Sequence, residues 1–190
     1  MNEKLRIGVA LTGSFCTLEQ TLNALAPLQG RYELYPIMSP IVYENDTRFG
    51  TAAHFRERLQ ELCGREIWHT IPDVEPIGPK KILDALVIAP CTGNTLAKLA
   101  LGVTDTAVTM AAKATLRNHR PVIIALSTND ALSGAARNIG TLQAQRNYYF
   151  VPYGQDSALQ KPRSCVAHLE QIPETLEVAL QGEQIQPLLG

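Results

Sequence analysis

Three short polar turns carry residue types from which chemistry could be built. Thr12-Gly13-Ser14 follows the apolar run 5–11, Cys91-Thr92-Gly93-Asn94-Thr95 follows 84–90, and Ser127-Thr128-Asn129 follows 121–126. A further hydroxyl, Ser39, comes just after the run 32–37. Small residues, hydroxyls and amides suit a phosphate site whose positive potential comes from helix N-termini and free backbone N–H groups. Gly13, Ser14, Ser39, Thr92, Asn94 and Thr95 are therefore the candidate phosphate-binding residues, with no Lys or Arg among them. Gly8 and Gly13 are the only glycines near the first turn. That is too little for the GxGxxG cradle of a dinucleotide, so a mononucleotide phosphate fits better. Plain helix capping uses the same residue types and is the competing explanation.

Such turns need elements that bring them together. Five apolar runs read as strands: 5–11, 32–37, 84–89, 121–126 and 148–151. The unbroken Val/Ile/Leu content of the third and fourth predicts strands buried on both faces, as in a parallel sheet covered by helices. Between the runs, Leu18, Leu22, Leu25 and Leu28 mark one face of a helix over 17–28, and Phe55, Leu59 and Leu62 do so over 51–63. Helices are also predicted at 96–101, 107–118, 135–146 and 173–181. Strand and helix alternate, which predicts a three-layer α/β sandwich around a doubly wound, mostly parallel sheet. In such a sheet all strand C-termini share one edge, and the polar turns collect there. Residues 69–81 hold Pro72, Pro76 and Pro79 and are read as an irregular loop; 155–163 shows no regular pattern. The chain reads as one domain over 1–190, with a partly flexible segment from about 155.

Composition narrows the function. Hydrophobic residues make up 45% of the chain and charged residues 18%, the balance of a compact protein. Seventeen basic residues against 18 acidic ones give a net charge of −1, which argues against a nucleic-acid binder. No apolar run is long enough to span a membrane. Cys16, Cys63, Cys91 and Cys165 form no CxxC pair, and no His/Cys cluster has ligand spacing, so no metal is assigned. Free thiols in a cytoplasmic protein are expected. His54, His69, His119 and His168 are read as surface or capping residues, and no catalytic residue is assigned.

The segment Pro90-Cys91-Thr92-Gly93-Asn94-Thr95 resembles the P-A-S-A-N-T signature of the homo-oligomeric FMN-containing cysteine decarboxylases, a flavoprotein family. Ala100-Leu101-Gly102-Val103-Thr104-Asp105 fits that family's A-x-G-x-x-D continuation. Thr12-Gly13-Ser14 resembles its first phosphate loop and Ser39 its second, while Leu126-Ser127-Thr128-Asn129 matches its P-x-M-N motif in part, with Thr128 in place of Met. This resemblance, over about 5–150, implies bound FMN and a homo-oligomer built from trimers. The family's decarboxylases carry a catalytic His fourteen residues before the motif's proline, a place held here by Pro76. Proline has no side-chain proton to move, so decarboxylation is not expected.

Further segments, 75–81, 88–100, 125–132, 149–156 and Lys161-Pro162, are similar to one branch of that family over nearly the whole chain. That branch implies a cytoplasmic protein of the mother cell in sporulating bacteria. It implies work beside a nucleotide-binding partner protein, oxidising a dihydropyridine dicarboxylate to the aromatic pyridine. NAD(P) would then enter only through the partner. A dicarboxylate calls for cationic and amide donors. Arg48, Arg137, Lys161 and Arg163 are the basic candidates, and Asn129, Lys161 and Arg163 are the substrate-binding residues expected. The alternatives are an FMN-dependent decarboxylase, a flavin prenyltransferase, or a non-catalytic binding subunit.

Overall fold

The computed structural model describes residues 4–190. Strands β1 (Arg6–Leu11), β2 (Glu33–Met38), β3 (Ala85–Cys91), β4 (Val122–Thr128) and β5 (Tyr148–Phe150) are parallel, in the spatial order β2-β1-β3-β4-β5. The chain leaves β1 to one side for β2 and returns to the other side for β3. The order therefore reverses between β1 and β3, where open α/β sheets place their ligands. β3 is buried along its whole length and β4 nearly so, as their apolar runs require.

Helices are α1 (Leu18–Leu25), α2 (Pro40–Glu44), α3 (Ala52–Cys63), α4 (Ile71–Val74), α5 (Ile77–Lys80), α6 (Gly93–Leu101), α7 (Ala107–Arg117), α8 (Ala136–Gln143) and α9 (Ile172–Leu180). α1 and α9 pack together against the central strands on one face, and α7 packs with α4 and α5 on the other. The sequence-predicted sandwich with a mostly parallel sheet is thus the observed architecture. Residues 69–81 are more ordered than an irregular loop: α4 and α5 are single turns, with Pro72 in the first turn of α4 and Pro76 just ahead of α5. A proline tolerates the first turn of a helix because its missing N–H has no partner there anyway. Among the described residues no helix is long and apolar enough to cross a membrane.

At the edge where the strands begin, buried Asp84 ties three of them together. It accepts from the Arg6 N–H at 3.0 Å and lies 3.4 Å from the Arg120 guanidinium. The opposite edge is shaped by an element that hydropathy did not reveal. β6 (Tyr153–Ser157) and β7 (Lys161–Ala167) form an antiparallel hairpin through residues 155–163. β5 pairs with the first half of β4, whereas β7 pairs with its last residues, Ser127 and Thr128. The hairpin is therefore displaced toward the strand C-termini and overhangs them. Beyond α9 the chain returns to the sheet: the Gln184 side chain bonds both the N–H and the C=O of Phe150, and Leu188 and Gly190 bond the backbone of Tyr153.

Candidate functional site

β1 and β3 end side by side, and Thr12 joins their ends. It is 1% exposed; its hydroxyl donates to Pro90 C=O at 2.7 Å and accepts from Thr92 N–H at 3.0 Å. One side chain thus satisfies two backbone groups at the point where β3 turns into α6. Thr92 then caps α6, accepting from Thr95 N–H at 3.2 Å, so capping explains Thr92. It does not explain the two serines. Ser14 makes no cap bond; its hydroxyl reaches over the sheet to Ser127 at 2.8 Å and to Thr17 at 3.1 Å. Ser39 precedes α2 and also makes no cap bond. Its Oγ is the one buried side-chain polar atom without a hydrogen-bond partner among the described residues. A buried hydroxyl left unpaired is costly unless something else supplies its partner.

Two cavities open along this edge and share Gly13, Thr92 and Asn94 in their walls. They form one groove with two lobes. The smaller, about 470 Å³, adds Ser39, Thr95, Ile41, Lys98 and Thr106. The larger, about 620 Å³, runs under the hairpin and adds Ser14, Ser127, Asn129 and Lys161. Of the sequence-predicted residues, Gly13, Thr92 and Asn94 lie between the lobes, Ser39 and Thr95 in the smaller, and Ser14, Asn129 and Lys161 in the larger. Arg163 lines neither. It sits on β7 between lobe-facing Lys161 and Ser164, and its carbonyl accepts from Leu132 N–H. Arg48 lies over the Phe49 ring at 4.8 Å, at the rim, and Arg137 is exposed on α8.

The smaller lobe also has a cation that the sequence reading did not include among the phosphate-site candidates. Lys98 reaches the smaller lobe from α6, its ammonium 2.8 Å from the Asp105 carboxylate, whose pKa that hydrogen bond lowers. The sequence reading named the Thr12-Gly13-Ser14 turn without giving Thr12 a role of its own, and it missed Thr106 and Ser164. Hydroxyls at strand ends signal Thr12, but β7 gave no periodicity from which to place Ser164. Pro76 is distant from the groove: α5, which it precedes, receives hydrogen bonds from the Asn118 side chain at the far end of α7. His69 comes closer, following Trp68, which pairs with the end of β2, and stacks on Tyr43 at 3.7 Å. Neither lobe is lined by a histidine among the described residues.

Gly93 opens α6 against the opposite wall. A Cβ there would lie 2.6 Å from Thr128 Oγ1 and 3.0 Å from Asp130 Oδ1, which are themselves hydrogen-bonded at 2.6 Å. Gly93→Ala is expected to destabilise the protein by about 1–3 kcal/mol, as overpacking does. Thermal unfolding checks it, and an unchanged midpoint would show that the wall yields freely. The thiols differ as sharply. Complete burial pushes the Cys91 thiol far up, burial pushes Cys63 up to about 12, and Cys165 is raised for the same reason. Cys16 is exposed at the rim of the larger lobe. One fast-reacting thiol per chain is expected on titration of the native protein near pH 8, lost in Cys16→Ser.

Known proteins share this architecture and much of this sequence. The chain is 44% identical to the B subunit of dipicolinate synthase from Bacillus subtilis, over 97% of this chain and 92% of that one. The crystal structure of the B subunit of dipicolinate synthase from Bacillus halodurans superposes with a TM-score of 0.90 at 42% identity, covering 100% of this chain and 98% of the other. The FMN-dependent cysteine decarboxylase SpaF shares the fold at a TM-score of 0.65 and 21% identity, over 94% of this chain and 96% of that one. The flavoprotein family matches residues 1–178, and this chain belongs to it.

Proposed function

We propose that this chain is the B-type subunit of a dipicolinate synthase, holding FMN in the two-lobed groove. In this reading it acts with the A-type subunit of dipicolinate synthase to oxidise dihydrodipicolinate to dipicolinate during sporulation. The similarity to named dipicolinate synthase subunits supports this reading of the reaction. The observation that carries the cofactor is the orphaned Ser39 hydroxyl, buried beside Thr95, Lys98 and the N-terminal end of α6. A phosphate group would give that hydroxyl its acceptor. The residues present fit an FMN phosphate in the smaller lobe, with Gly13, Thr92 and Asn94 along the passage to the larger one.

A bound flavin supplies an acceptor for a hydride or an electron pair. The chain supplies position. Thr12 fixes the β3–α6 turn, the Ser14–Ser127 pair fixes the width of the larger lobe, and the hairpin roofs it. Conversion of a dihydropyridine to a pyridine gains aromatic stabilisation, so it needs an acceptor more than a strong base. A groove lined by no histidine among the described residues is consistent with that demand. Ile41 and Phe49, 50% and 44% exposed at the rims of the two lobes, favour cover by a neighbouring copy in a trimer-based homo-oligomer. NAD(P) enters this reading only through the A-type partner, and the place of action is the mother-cell cytoplasm.

The test is reconstitution. Dihydrodipicolinate is given to this chain alone, to the A-type partner alone and to both, and aromatic product is followed against spontaneous oxidation. Full rate is expected only from the pair. Full rate from the A-type partner alone would sink the proposal and leave a non-catalytic binding protein. No carbon dioxide release from peptidyl-cysteine or pantothenoylcysteine substrates is expected, because no imidazole of the described residues lines the groove; release at ordinary enzyme rates would favour the decarboxylase reading. An absorbance spectrum of the purified chain reports the flavin directly.

A further inference from the structure

The hairpin brings to the larger lobe its only cation among the described residues, Lys161. The register of β6 and β7 slips just there: Gln155 faces Cys165, but Ser157 faces Lys161 rather than Arg163. The Lys161 ammonium is held at 2.6 Å by Asp156, which also lines the lobe, and the two side chains are 61% and 33% exposed. Deeper in the wall sits Ser164. It is 5% exposed, lines the lobe, and its hydroxyl has no hydrogen-bond partner among the described residues. The Ser164 oxygen itself is open to the lobe, unlike the fully enclosed Ser39 Oγ, so a ligand oxygen there would take the place of water. The amides of Asn94 and Asn129, on the same lobe, are equally unpartnered among the described residues.

We propose that the larger lobe binds a carboxylate ligand through Lys161 and Ser164, and that Asp156 occupies the place of that carboxylate until the ligand displaces it. An exposed ion pair contributes little and exchanges readily. The exchange is like for like at the ammonium, one carboxylate for another. The ligand's carboxylate additionally accepts from Ser164, which the Asp156 carboxylate leaves unbonded. The other carboxylate of the lobe, Asp130, is no competitor: it accepts from the Thr128 hydroxyl at 2.6 Å, on the Gly93 wall. Asn94 and Asn129 offer donors for a second carboxylate, so the class of ligand is a compact dicarboxylate. The inference rests on the larger lobe being the substrate end of the proposed site.

The test is calorimetric titration of the full chain with pyridine-2,6-dicarboxylate, with the neutral pyridine-2,6-dicarboxamide as control. Because the pair is exposed, neither of its substitutions threatens the fold. Asp156→Asn is expected to tighten dicarboxylate binding by about two- to five-fold, the size of an exposed ion pair. Lys161→Gln should weaken it by about five-fold or more, and in the double variant the gain from Asp156→Asn should vanish. Ser164→Ala should weaken binding in both the wild-type and Asp156→Asn backgrounds. The dicarboxamide should show none of this dependence. Unchanged or weaker binding by Asp156→Asn would overturn the proposal, as would a gain of equal size without Lys161, which would reflect net charge alone. No dicarboxylate binding by a chain that still takes up FMN would refute this inference and leave the flavin reading intact. The Asp156 signature in a chain that takes up no flavin would do the reverse.

Discussion

Replacing Ser39 by alanine is expected to move stability and cofactor binding in opposite directions. Without cofactor, the Ser39 hydroxyl is buried with no partner among the described residues, so its removal takes away a desolvation cost. Ser39→Ala should therefore be more stable than the wild type by about 1 kcal/mol, a rise in midpoint of about 2–4 °C for a chain of this size. With FMN the sign reverses. A hydrogen bond to a charged phosphate contributes about 1.5–3 kcal/mol, so the variant should bind FMN about ten- to a hundred-fold more weakly. Ser39→Asp should abolish binding, since a carboxylate would then face the phosphate dianion. Flavin fluorescence titration and thermal unfolding of the same preparations read both effects. A variant that loses stability without cofactor, or that binds FMN as the wild type does, would show that the hydroxyl has another role.

Thr12→Val is expected to cost the most of any single groove substitution. Valine keeps the shape of threonine and removes the oxygen that serves both Pro90 C=O and Thr92 N–H. Two backbone groups at a buried strand end would be left unpaired, at about 1–3 kcal/mol each. A loss of about 2–5 kcal/mol in stability should follow, with a fall in midpoint of about 5–15 °C. The effect should reach the site, because Thr92, Gly93 and Asn94 hang from this joint, and Thr92 and Asn94 line both lobes. FMN affinity should fall in the protein that remains folded at low temperature. Thr12→Ser keeps the oxygen and should restore most of both properties. Equal damage by serine and valine would show that the methyl group, not the hydroxyl, matters.

Much of this was legible from the order of residues alone. Unbroken apolar runs such as Leu86–Ala89 and Val122–Leu126 can only be strands covered on both faces, and the leucine spacing over 18–25 can only bury one helix face. From these follow the parallel sheet and the common edge of its strand C-termini, and with that edge the gathering of Gly13, Ser39, Thr92, Asn94 and Thr95. Local chemistry offered a cap at this turn without choosing among Thr92, Asn94 and Thr95; the structure gives it to Thr92. Other features depend on partners distant along the chain. The sequence cannot show that Thr12 closes a joint with Pro90 and Thr92, or that Ser14 meets Ser127, since each bond joins residues brought together only by the sheet order. Nor does hydropathy reveal the β6–β7 hairpin, because exposed β-strands such as Gly154–Ser157 carry polar residues on both faces and have no alternation to read. Its pairing with the last residues of β4, rather than with β5, turns Lys161 and Ser164 toward the groove and leaves Arg163 out of it. Residue types and local periodicity determined which groups could serve the site. Strand order and register, set by packing across the whole sheet, decided which of them face one another.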